Sequence, residues 1–163
     1  MWIIPAYTTA VCIKQKGIPY SISATFYAIE HKGWFRFTMW ACPMVLMPAI
    51  LEVSKPGTEF LAYLALAGMI VVGCFPDYKA DKFQYRGHIA GAMMAILFSQ
   101  TWVALNFWPM LLAWLPYVSY TALNMAKQEE GTFKDKYIKT KPMFWIEIFS
   151  FGVIYLICLM LRI

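Results

Sequence analysis

Apolar residues fall in long runs along this chain, separated by short polar segments. Six runs stand out, at about residues 1–16, 34–53, 59–75, 87–107, 110–126 and 143–163. Most approach the roughly 20 apolar residues with which a helix crosses about 30 Å of hydrocarbon. The pattern predicts an all-α polytopic transmembrane bundle of about six spans in a single integral membrane domain, residues 1–163.

The runs differ in quality. The first is short: Met1 to Ile13 reaches only about 20 Å as a helix. It spans if it extends to about Lys16 with the lysines snorkelling, or if the bilayer thins. Gly17 to Gly33 is amphipathic and aromatic, too polar in its second half to cross. It either lies along the interface or folds partly back into the bundle. The second run carries Pro43 and Pro48, each of which removes a backbone donor. A Lys55-Pro-Gly-Thr turn follows. The third run shows a small face at Ala62, Ala65 and Gly68 and closes at Pro76, and Asp77 to Arg86 reads as a charged loop. In the fourth, Gly87, Gly91, Ala95 and Ser99 recur every four residues. That spacing predicts a close helix–helix seam, within the chain in preference to between copies. Asn106 to Pro109 reads as a tight turn, with Trp102 and Trp108 in an aromatic belt. The fifth run is kinked at Pro116, Lys127 to Lys141 is a solvated loop, and Glu147 lies one turn inside the sixth.

Charge orients these runs. All of the fourteen Lys and Arg except Lys55 and Arg162 lie in three segments, Lys14–Arg36, Lys79–Arg86 and Lys127–Lys141. Those segments alternate with poorly charged ones, as the positive-inside rule requires of a multi-span protein. The rule puts the basic segments in the cytoplasm and both termini outside. Omitting the short first span leaves the others oriented the same way. Only 14% of residues are charged, against about 25% in soluble domains. The net charge of +5 belongs to loops without the aromatic interleaving of a single-strand binder, which argues against nucleic acid. The four cysteines are isolated and form no CxxC pair, so a zinc site or a disulfide framework is not expected. The N-terminus lacks a signal-peptide layout.

Candidate chemistry is sparse. Ionisable groups within spans are costly and point to function by default. Asp77 ends the third run, Arg86 and His88 open the fourth, and Glu147 enters the sixth. Glu30 and His31 precede the second. All fall at the cytoplasmic level, where Tyr20, Ser21, Ser23 and Tyr27 join them if the preceding segment folds back. One reading is a ligand-binding pocket centred on Asp77 and His88 with Glu147 beside them, and Arg86, Ser23 and Tyr20 around it. The plainer reading gives each a structural role, with Asp77 and Arg86 paired and Glu147 favouring the helix dipole. Tyr117, Tyr120 and Asn124 of the fifth run either line a pore or cavity or hydrogen-bond between helices. No metal or cofactor is expected: HxxxH, HExxH, GxSxG, GxGxxG and Walker A patterns are all absent.

Three stretches, PYSISATFYAIEHKGWFRF, FLAYLALAGMIVVGCFPDY and RGHIAGAMMAI, resemble a group of bacterial multi-span proteins distantly related to the DRAM, Sfk and Frag membrane proteins. That group has a serine-bearing SxS segment after the first span, a Gly-rich third span ending in Phe-Pro, and a histidine early in the fourth. The resemblance covers about residues 19–100, with Ser21, Ser23, Pro76 and His88 as matching positions. It implies a compact bundle of about six helices and brings no activity with it. The first span here is shorter than in that pattern. Ceramidase-like and progestin receptor-like membrane hydrolases differ, because they hold zinc with three histidines and this chain has two.

The expectation is a multi-pass protein of the bacterial inner membrane that binds or passes a membrane lipid or small amphiphile, or serves as an accessory subunit to a membrane partner protein. One alternative is an enzyme acting on a lipid headgroup at the cytoplasmic interface, with His88 as base and Asp77 orienting it. Another is a homo-oligomeric channel lined by the fifth span.

Overall fold

The structure, a computed structural model, describes residues 3–128 and 130–161. The outer ends of the first and sixth runs (Met1, Trp2, Arg162 and Ile163) lie outside the described residues. Among the described residues seven α-helices follow in order: α1 (Ile3–Lys14), α2 (Gly33–Glu52), α3 (Glu59–Cys74), α4 (Lys82–Phe107), α5 (Leu115–Ala126), α6 (Phe133–Lys139) and α7 (Pro142–Met160). Two 3₁₀ segments, Ser23–Tyr27 and Trp108–Trp114, interrupt them, and the described residues contain no strand. Among the described residues three helical stretches are long and apolar enough to cross a membrane: α2, the run Lys82–Ala126, which is broken at Phe107, and α7. They mark the chain as a membrane protein. α1 and α3 are apolar but shorter, at 12 and 16 residues.

Several boundaries depart from the sequence expectation. α1 does not extend to Lys16. The Gly17 amide bonds the Cys12 carbonyl at 3.1 Å and the Lys16 amide bonds Ile13 at 3.2 Å, with Lys16 left-handed at φ 52°. These two bonds satisfy orphan carbonyls and close the helix end. α4 begins at Lys82, earlier than expected, because the Asp81 carboxylate accepts the Phe83 and Gln84 amides at 2.7 and 2.9 Å. Such a cap offsets the cost of free amides at a helix start. The tight turn expected at Asn106–Pro109 is a break at Phe107, φ −146° and ψ 54°, after which the 3₁₀ segment packs back on α4, with Trp114 Nε1 donating to Gln100 Oε1 at 2.9 Å. Pro116 opens α5 and does not kink it, a position where the missing amide costs nothing. The expected loop 127–141 contains α6, nucleated by a reciprocal cap between Thr132 and Asp135.

Packing centres on α3 and α4, the most extensive helix pair. A Cβ on Gly68 would lie 2.5 Å from the Ala95 nitrogen and 2.6 Å from the Gly91 oxygen. One on Gly91 would lie 2.9 Å from the Gly68 oxygen and from the Val72 nitrogen. The small-residue stripe is therefore an intramolecular seam, in which missing side chains let two backbones touch. Trp102 is fully buried and is not part of an interfacial belt. Its indole Nε1 donates to Ser54 Oγ at 2.8 Å. Asn106 sits beside it, accepting the Lys55 amide at 2.6 Å and the Thr58 hydroxyl at 3.1 Å.

The opposite end gathers the three basic segments. Lys141 Nζ donates to the Ile18 carbonyl, the Phe144 amide donates to Tyr20 at 3.1 Å, and Tyr27 donates to Asp77 at 3.0 Å. Lys55, the one lysine expected across the membrane from them, is tied to Asn106 at the far end.

Candidate functional site

The polar residues that the sequence placed at one level do meet, and the segment before α2 brings them together. Residues 20–27 fold back into the bundle and do not lie flat on the interface. Ser21, Ile22, Ser23, Thr25 and Phe26 are all buried. Their backbone polar groups then need partners inside. Glu147, from the second turn of α7, supplies them. Its carboxylate accepts the Ile22 amide and the Ser23 hydroxyl, the latter at 3.3 Å. A carboxylate from a helix 125 residues away thus caps the short 3₁₀ turn. Tyr7 of α1 donates to Thr25 Oγ1 at 2.7 Å, while Thr25 donates to the Ile22 carbonyl.

Two tyrosines connect this core to the α3–α4 connection. Tyr27 donates to Asp77 Oδ1 and accepts the Lys79 amide at 2.8 Å, and Lys79 Nζ lies 4.6 Å above its ring. Burial, together with the adjacent Asp77 carboxylate, pushes the Tyr27 phenol up to about 12. Tyr78 packs edge-on to Tyr27 with ring centres 5.2 Å apart, near Ser21 and within reach of the charge of Glu147. Burial chiefly, and then Glu147, raise its phenol as well. On its other side Tyr78 meets the His88 ring at 4.7 Å.

His88 is buried and does not pair with Asp77. Its Nδ1 lies 2.7 Å from the Phe75 carbonyl oxygen. A carbonyl can only accept, so Nδ1 carries the proton and Nε2 presents a lone pair. No hydrogen bond to Nε2 forms among the described residues. The orienting role expected of Asp77 therefore falls to a backbone oxygen. Asp77, His88 and Glu147 share no hydrogen bond with one another. Tyr27, Tyr78, Ser21 and Ser23 connect them. Arg86 is exposed and forms no ion pair with Asp77. Tyr20 contributes its carbonyl to Phe144, while its side chain is exposed. Glu30 and His31 are exposed at the rim, where Lys14 pairs with Glu30 at 3.0 Å and holds its carboxyl below the usual range.

The space inside this cluster is small. The cavity beside Glu147, bounded by Ile22, Met39, Met69, Val72 and Phe151, measures about 30 Å³. That is room for about one water and far below the 300–1,000 Å³ of a ligand site. The chemistry it supports is structural: it locks residues 20–27 between α3, α4 and α7.

A ligand-sized space lies elsewhere, on a flank the sequence reading did not single out. α1 leans on α2 and on the fold-back segment, leaving a groove of about 680 Å³ against α7. Ile4, Cys12, Trp145, Ile148, Gly152 and Leu156 are among its walls, which are almost wholly apolar. The shortness of α1 and the small residue at Gly152 were its only traces in sequence.

The fifth run is divided. Tyr117 is buried against Trp114 and Phe149 and approaches Tyr137 of α6, oxygen to oxygen, at 3.3 Å. Tyr120 packs against Trp145 with ring centres 5.3 Å apart and planes inclined by 60°, and Asn124 bonds its own helix at Tyr120. Within one chain Tyr120 and Asn124 line no enclosed cavity among the described residues. Compared with family models, with curated proteins and with solved structures, the chain matches none.

Proposed function

We propose that this chain is a multi-span protein of the bacterial inner membrane that binds a lipid or small amphiphile, non-enzymatically, in the groove between α1 and α7. The groove is the observation that carries this reading. Its volume falls in the range of ligand sites, and its walls are apolar, as an acyl chain requires. The polar cluster is then the support that holds α7 and the fold-back segment at a fixed spacing, so that the groove persists when empty. The positive-inside rule turns the basic end toward the cytoplasm. Kinship with the DRAM, Sfk and Frag group stays within this proposal. Its four marker positions, Ser21, Ser23, Pro76 and His88, all lie at that basic end.

Photocrosslinking with a phospholipid bearing a diazirine on its acyl chain tests the reading. Adducts are expected to concentrate on residues 4–13 and 145–159, above the level on exposed α4 residues such as Met93 and Leu97. Even labelling of all exposed helix faces would refute it.

The alternative, a lipid-headgroup enzyme, has one observation in its favour, the acceptor lone pair of His88 Nε2 beside Tyr78. In that case His88→Ala abolishes turnover of an added lipid and leaves acyl crosslinking intact.

A further inference from the structure

Two lysines adjoin the lining of the groove at one end, and neither is paired with a carboxylate among the described residues. Lys141 stands there in a left-handed conformation at φ 55°. Its Nζ bonds the carbonyl of Ile18, a wall residue. Lys16 is exposed at the end of α1, next to Gly17, which lines the groove. Lys14 is neutralised by Glu30, but neither Lys16 nor Lys141 forms an ion pair among the described residues. The one carboxylate of α7, Glu147, is turned the other way onto Ile22 and Ser23.

A second feature lies deeper. Thr8 lines the groove and is buried, and its hydroxyl has no hydrogen-bond partner. In a helix a threonine hydroxyl usually bonds back to its own chain. A buried donor left without an acceptor is costly. Thr8 lies about 9 Å below Lys14 along the helix axis. A molecule with an anion at the rim, a carbonyl part-way down and an apolar chain beyond it matches all three features.

Building on the proposed function, we infer that the occupant is an anionic glycerophospholipid. Its phosphodiester sits between Lys16 and Lys141, an ester carbonyl accepts from Thr8, and an acyl chain runs past Ile148 and Leu156. The selectivity is for negative headgroup charge, since two ammonium groups stand at that end of the groove and neither is paired with a carboxylate among the described residues.

The test is native mass spectrometry of the full chain, exchanged into equimolar phosphatidylglycerol and phosphatidylcholine of identical acyl chains. The wild type is expected to retain phosphatidylglycerol preferentially. Each of Lys16→Gln and Lys141→Gln is expected to lower that preference about fivefold, the worth of one lysine at an anionic surface. The paired Arg substitutions, which keep the charge and control for folding, restore it. Thr8→Val weakens retention of both lipids. Gly152→Trp, at a position where a side chain meets nothing within 4 Å, fills the groove and removes both adducts. Equal retention of the two lipids by the wild type, with Gly152→Trp still removing them, overturns the headgroup inference and leaves the groove reading standing. Adducts indifferent to Gly152→Trp, or none at all, overturn both. A dimer that Gly152→Trp dissociates would assign the groove to a second copy and overturn both as well.

Discussion

Asn106 shows how much one side chain organises in this protein. It accepts from the Lys55 amide and the Thr58 hydroxyl and donates to its own helix at Trp102, 2.9 Å away. The turn between α2 and α3 has these bonds in place of solvent. Asn106→Ala leaves the Lys55 amide unpaired and is expected to cost about 1–3 kcal/mol, read as a lower thermal midpoint in detergent. A midpoint equal to wild type would show that water replaces the amide. Tyr27 makes a pH prediction. Its phenol is pushed up to about 12 from the usual value near 10. The folded state favours the neutral form, so its contribution is complete below about pH 10 and is lost as pH rises through about 12. Ionisation would set a phenolate against Asp77. Ultraviolet titration of phenolate is expected to show a late component whose amplitude Tyr27→Phe lowers by one tyrosine.

Among the helices, the α3–α4 seam is the element on which the others are arranged. Gly68→Ala forces a methyl against the backbone of α4 at 2.5 Å, where no flexible side chain can yield. The expected loss is about 1–3 kcal/mol, the usual range for overpacking, measured by thermal unfolding in detergent. Gly152→Ala in α7 is the control: its Cβ meets nothing, and helix propensity makes it neutral or stabilising by up to about 1 kcal/mol. Equal effects at the two positions would mean that the seam is looser than this geometry. The short elements obey a different rule. α6 has seven residues, too few for its apolar pattern to be read, and it owes its existence to the Thr132–Asp135 cap. The 3₁₀ turn Ser23–Tyr27 owes its place to Glu147.

For the whole molecule, the contacts that bring residues 15–32, 75–81 and 127–141 to one end agree with the charge asymmetry. The prediction is topological. With the four cysteines replaced by alanine, a membrane-impermeant maleimide added from outside is expected to label Pro56→Cys and to spare Lys134→Cys until the membrane is permeabilised. Both positions are exposed. Labelling of both before permeabilisation would reject the orientation.

The run lengths, the small-residue stripe and the distribution of lysine and arginine were sufficient by themselves for the all-α membrane class, the seam residues and the shared level of Asp77, His88 and Glu147. Each is a local or additive property: helix length against hydrocarbon thickness, side-chain size at a four-residue spacing, charge summed over loops. Tertiary structure alone decided which groups touch. His88 faces a backbone oxygen and not Asp77, Glu147 caps a turn from far along the chain, and Trp102 is buried. The groove between α1 and α7 exists only because α1 closes early and leans toward α2. Such pairings depend on where separate helices stand relative to one another. The apolar pattern leaves that undetermined, and it is settled by which arrangement gives most buried polar groups a partner.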